Sequence, residues 1–149
     1  MLHDRTIPGR RENLDHLVVT PSGVWSVDAK VYRGRIDTGG RWRAGRYLHV
    51  GRRDCEKLLA QSLRQQDHLR RNLTVAGLPD LPVHGTLCFL DGQWGPGAKG
   101  ARVGDVHITD PRRLKRLLRG PARDARGALT VEQVQYVAAK LDEVFLPAS

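Results

Sequence analysis

Two apolar runs near the start of the chain set the pattern. Asn13 to Thr20 and Val24 to Val31 are rich in β-branched and aromatic residues, and Pro21-Ser22-Gly23 lies between them. Such runs across so short a turn predict two antiparallel strands. Both are apolar at most positions, which predicts a sheet covered on two faces. Met1 to Ile7 reads as a further strand, ended by Pro8-Gly9.

Downstream, the period lengthens. Asp54 is placed to cap a helix to about Asn72, with Leu58, Leu59, Leu63, Leu69 and Leu73 as its buried stripe. Val83 to Leu90 and Val106 to Thr109 read as strands, and the glycine-rich stretch 91–104 between them as an exposed loop. Asp110-Pro111 opens a basic helix to about Arg119. Residues 120–127 read as a linker. Thr130 caps a last helix whose apolar face is Leu129, Val134, Val137, Leu141 and Val144. Before the first helix, Asp37-Thr38-Gly39-Gly40 reads as a hairpin tip. The order of elements predicts an α/β sandwich around a mixed sheet.

Length changes the picture little: 149 residues amount to one domain at roughly 100–200 residues each. No apolar run reaches the ~18 residues of a membrane helix, and no signal-peptide apolar region follows Met1. The expectation is a cytoplasmic protein with no membrane partner. Cys55 and Cys88 form neither a CxxC motif nor a disulfide framework. The six histidines show no metal-ligand spacing, and there is no Walker loop or Ser-His-Asp signature.

Charge is more informative. Lys and Arg number 25 against 16 Asp and Glu, a net charge of +9, and 20 of the 25 are Arg. Arg matches phosphate oxygens with a planar fork, so a polyanion is the expected partner. Between Tyr32 and Arg53, seven Arg stand against Asp37 alone. Arg33, Arg35, Arg41, Arg43 and Arg46 are the candidate nucleic-acid contacts, with Trp42 as a stacking ring. Arg112, Arg113, Lys115, Arg116 and Arg119 form a basic helix face, read as a solvated one.

Three residues carry candidate chemistry. Asp15 stands in the first of the two apolar strands, and Asp28 and Lys30 in the second. Asp28 and Lys30 are two apart and share a sheet face, and the hairpin can bring Asp15 beside Asp28. Two carboxylates about 4 Å apart repel by ~4 kcal/mol at an effective dielectric of 20, and a divalent cation reverses the sign. Oxygen-rich sites suit Mg²⁺, and a neighbouring Lys can activate water or stabilise charge on phosphate. The competing reading is a salt bridge to Lys30 at a sheet edge, which spacing alone favours.

The run Leu2-His3-Asp4, Ile7-Pro8-Gly9, Asn13-Leu14-Asp15-His16-Leu17-Val18-Val19, Pro21-Ser22-Gly23-Val24-Trp25, Val27-Asp28-Ala29-Lys30 and Gly34 resembles the nuclease-related domain, NERD. Softer matches follow at Gln61, Leu69, Leu73, Pro82-Val83, Val106 to Asp110 and Leu129-Thr130. The resemblance implies a PD-(D/E)XK (restriction endonuclease-like) α/β core, a central mixed sheet flanked by helices, as a single domain over 1–149. It implies a metal-dependent nuclease acting on DNA, possibly RNA, with Mg²⁺ or Mn²⁺. Asp15 and Asp28 would be metal ligands, the Ala29 carbonyl would complete the shell, Lys30 would be the base or charge stabiliser, and Gln61 the helical Gln. His16 would pack facing away from Asp15, and Trp25 would be core. Family members carry a helix before the first strand with a Glu that joins the site. This chain starts where that strand begins, so the expectation is a core without that helix, one sheet face uncovered, with Glu12 a poor substitute. The alternative is a catalytically inactive nucleic-acid-binding module of the same fold.

Overall fold

The computed structural model describes residues 2–6, 13–40, 44–119 and 128–144, with side chains from 16 onward apart from that of Ala44. Strands β1 (Leu2–Thr6), β2 (Asn13–Thr20) and β3 (Gly23–Lys30) form the antiparallel meander that the apolar runs predict. The chain then passes through five short segments: β4 (Arg35–Asp37), β5 (Ala44–Gly45), β6 (His49–Val50), β7 (Arg53–Asp54) and helix α1 (Glu56–Val75). It returns as β8 (Val83–Phe89), parallel to β3. After β9 (Gln93–Trp94) and β10 (Arg102–Val103) come β11 (Val106–Thr109), α2 (Pro111–Arg119) and α3 (Val131–Val144). Among the described residues, the main sheet has the order β1-β2-β3-β8-β11-β10-β5, and a smaller sheet the order β7-β6-β4-β9. The architecture is the expected α/β mixed sheet flanked by helices.

Strand alternation divides β3 between two layers. Val24 packs with Leu17, Leu69, Leu73, Val83, Val137 and Leu141, under α1 and α3. Trp25 and Val27 pack with Cys88 against Leu114, Leu117 and Leu118 of α2. A third cluster, with Ile36, Leu48, Leu87, Phe89 and Ile108, joins the small sheet to the large one. Each fully buried Leu or Phe contributes roughly 1.5–3 kcal/mol through the area it removes from water.

The β2–β3 turn is held by side chains. Trp25 Nε1 donates to Thr20 Oγ1 at 3.2 Å and to Ser22 Oγ at 3.1 Å. His84 Nε2 lies 3.1 Å from the Ser22 carbonyl oxygen. A carbonyl only accepts, so that nitrogen carries the proton. Trp25 is core, as expected, with its ring 4.4 Å from that of His84.

Five expectations need correction. Asp37 to Gly40 is not a hairpin tip between successive strands: β4 pairs with β6 (Ile36↔Val50), and β5 joins the other sheet. Asp54 precedes the N-cap, which is Cys55; its Oδ1 accepts from the Glu56 N–H at 2.9 Å. Helix α1 continues past Asn72 to Val75. Its buried face is Ser62, Gln65, Gln66, Leu69 and Leu73, while Leu63 is exposed, because the polar side chains find partners inside. The stretch 91–104 is not merely a loop: it carries β9 and β10 and buries Ala98 and Ala101. Its backbone is satisfied by bonds such as Ile108 N–H to the Ala101 carbonyl, 2.9 Å. The linker at 120–127 lies outside the described residues.

Two caps behave as read. Asp110 Oδ1 accepts from the Arg113 N–H at 2.8 Å. Thr130 and Gln133 form a reciprocal capping box, at 3.1 and 2.8 Å.

Candidate active site

Asp28, Ala29 and Lys30 end β3, which lies between β2 and β8 inside the sheet. The pair Asp28–Lys30 is therefore not at a sheet edge. Asp28 is 7% exposed, and Lys30 Nζ lies 3.2 Å from its Oδ1. Burying an unpaired carboxylate is costly, and the ammonium offsets that cost. The Lys30 side chain retains about a quarter of its exposure, so one side of the ammonium still faces solvent.

The β2–β3 register pairs His16 with Val27. Position 15 adjoins His16 and position 28 adjoins Val27, so the register brings positions 15 and 28 together across the ladder. The Asp15 side chain lies outside the described ones. His16 is half-buried in an apolar groove with Val18, Val27, Ala29 and Leu118, on the sheet face away from Asp28, as expected.

The Lys30 carbonyl accepts from the Leu90 N–H at 2.9 Å and so points to β8. Carbonyls alternate along a strand, so that of Ala29 points to the β2 side, where position 15 stands. Among the described residues, no three His, Cys, Asp or Glu side chains converge as a metal cluster. A buried carboxylate with a carbonyl on its β2 side is nonetheless a hard-oxygen donor set that suits Mg²⁺ or Mn²⁺.

Helix α1 runs antiparallel to β3, and polar contacts fix its height. Ser26 Oγ donates to Gln65 Oε1 at 3.2 Å, and Gln66 Nε2 donates to the Asp105 carbonyl at 3.1 Å. Gly85 makes room: a Cβ there would lie 2.7 Å from Ser62 Oγ. Gln61, half-buried, is one turn before Gln65 on the same helix face. Asp28 is two residues after Ser26 on the same strand face. Gln61 is thus carried to the level of Asp28. Gln65 and Ser26 are residues that sequence reasoning missed, because periodicity counts apolar positions only.

Arg33, Arg35 and Arg46 are exposed; Arg41, Trp42 and Arg43 lie outside the described residues. Gly34 abuts Gly51, where a Cβ would meet the Gly51 nitrogen at 2.9 Å. That close approach sets Arg33 and Arg35 beside Arg52 and Arg53, two further exposed cations. Arg53 stacks over the Tyr32 ring at 4.5 Å. Density of Arg in the 32–53 stretch was the available signal for these two. Cys55 and Cys88 are buried free thiols, and burial pushes both up, away from thiolate.

The model of the nuclease-related domain, NERD, matches residues 1–90. The chain belongs to the NERD family. The matched span of this NERD protein holds Asp15, Asp28, Lys30 and Gln61, and ends at the close of β8. The sheet continues beyond it, since β8 pairs with β11. No curated protein matches the chain, and no solved structure matches it. Among the described residues, no helix is long and apolar enough to cross a membrane.

Proposed function

We propose that this NERD protein is a metal-dependent nuclease that hydrolyses phosphodiester bonds of DNA, with RNA as a related substrate. The observation that carries the reading is the buried Asp28 carboxylate 3.2 Å from Lys30 Nζ, at the end of a central strand and beside position 15. Asp15, Asp28 and the Ala29 carbonyl would hold Mg²⁺ or Mn²⁺. When bound, the ion supplies charge neutralisation and Lewis acidity at the phosphate.

The remaining roles belong to side chains. Lys30 Nζ, half open to solvent, stabilises charge growing on a phosphate oxygen or takes up a proton from the attacking water. Arg33, Arg35 and Arg46, with Arg52 and Arg53, hold flanking phosphates in register. Gln61 orients substrate or the Asp28 carboxylate from α1. Such contacts read backbone and not bases, so cleavage carries little sequence preference. The cytoplasm is the compartment this reading assigns, since Cys55 and Cys88 are free thiols.

The alternative, a catalytically inactive nucleic-acid-binding module, takes the same Asp28–Lys30 contact as a structural salt bridge. Incubation with supercoiled plasmid and with single-stranded DNA, in Mg²⁺, Mn²⁺ or EDTA, separates the two. The nuclease reading expects cleavage with either metal and none in EDTA. Binding without cleavage under every condition favours the module.

A further inference from the structure

We propose that the outward face of α2 is a second nucleic-acid-backbone surface, separate from the Asp28–Lys30 site and on the opposite face of the sheet. The proposal rests on the nuclease reading only for the class of its partner.

Arg112, Lys115, Arg116 and Arg119 follow the i, i+3, i+4, i+7 spacing that puts them on one side of a helix, and together they line one open groove. Arg112, Lys115, Arg116 and Arg119 are all exposed. Helix α2 contains no acidic residue. The nearest acid, Asp110, is occupied: it caps the helix and pairs with Lys99 Nζ at 3.2 Å. Burial acts to raise the Asp110 carboxyl, but the Arg113 N–H and Lys99 outweigh it and hold the carboxyl below its ordinary value. Among the described residues, no carboxylate pairs with Arg112, Lys115, Arg116 or Arg119.

This arrangement works against the helix. Like charges at i, i+3 and i, i+4 destabilise it, and cations in the first turn oppose the macrodipole. A bound polyanion turns each of these terms favourable. Arg112 and Arg119 are about 10 Å apart at ~1.5 Å per residue. That span suits about three phosphates of one strand at ~3.4 Å along the duplex axis.

Basic amphipathic helices also bind anionic membranes by inserting their apolar side. Here that side is used. Leu114, Leu117 and Leu118 pack on Trp25, Val27 and Cys88, which leaves only the cations outward. A backbone of phosphates needs nothing else.

The test is the salt dependence of binding to a labelled DNA duplex in EDTA, with the full chain. The variant Lys115→Gln/Arg116→Gln/Arg119→Gln is compared with Lys57→Gln/Arg64→Gln/Arg71→Gln, three exposed cations of α1. The α2 variant should weaken binding by more than about tenfold at low salt and reduce the log–log salt slope by about two to three units. Its melting temperature should stay the same or rise. The α1 variant should change the slope by much less. Equal effects of the two variants, or no effect of the α2 variant in a folded protein, overturn the proposal. So does a loss of binding to phosphatidylserine-containing vesicles with DNA binding intact. Absence of cleavage would sink the nuclease reading and leave this surface standing, because the assay contains no metal.

Discussion

Ser26 Oγ donates to Gln65 Oε1 at 3.2 Å, both atoms buried, and this bond fixes the height at which α1 crosses β3. Gln61 and Asp28 inherit their alignment from it. Gln65→Ala should destabilise the protein by about 1–3 kcal/mol, since it strands a buried hydroxyl. Adding Ser26→Ala should recover part of that loss, because both partners are then gone. Urea denaturation of the single and double variants measures the coupling. A double variant no better than the sum of its parts would contradict the contact.

His84 gives the fold a pH dependence. Burial lowers its imidazole pKa from the ordinary 6.5, against the raising effect of its bond to the Ser22 carbonyl. The unfolded chain then binds a proton at higher pH than the folded one, so acid favours unfolding. The stability from neutral His84 is complete above pH 6.5 and is lost as pH falls toward the folded value. His84→Gln should flatten the melting-temperature curve just below pH 6.5; an unchanged slope there would rule out this origin.

Gly23 has a φ of +128°, and the neighbouring Val24 N–H bonds to the Pro82 carbonyl at 2.9 Å. A Cβ on Gly23 would collide with that carbonyl oxygen and lie 3.0 Å from Pro82 Cβ. Gly23→Ala should cost at least about 1–3 kcal/mol from backbone conformation alone. Thermal denaturation checks this, and a melting temperature equal to wild type would show that the turn relaxes freely.

The meander and its register were legible in the sequence because two apolar runs flank a three-residue turn. The ends of α2 and α3 were legible because Asp110 and Thr130 have the side-chain oxygens that caps require. The buried face of α1 was not. Ser62, Gln65 and Gln66 face inward because Ser26, Asp105 and the bare backbone of Gly85 lie opposite them, and those partners are distant in the chain. The small sheet was hidden for a different reason: strands such as β6 and β7 have two residues each, too few for any period. Within the site, Asp28 and Lys30 could be paired from their spacing. Arg52 and Arg53 join the cationic edge only through the Gly34–Gly51 approach, which no local pattern encodes.

The central claim places catalysis at Asp28 and Lys30 and binding on the surrounding cations. The most direct measurement is plasmid cleavage in Mg²⁺ by Asp28→Asn and Lys30→Ala, with DNA affinity in EDTA and melting temperature taken on the same proteins. Each substitution should lower the rate on the order of 10²–10³-fold, the scale of losing one group that stabilises transition-state charge. Affinity in EDTA should fall only slightly for Lys30→Ala and not at all for Asp28→Asn, which removes a negative charge. Full cleavage by a well-folded Lys30→Ala protein, or activity that merely follows the folded fraction, would contradict the account.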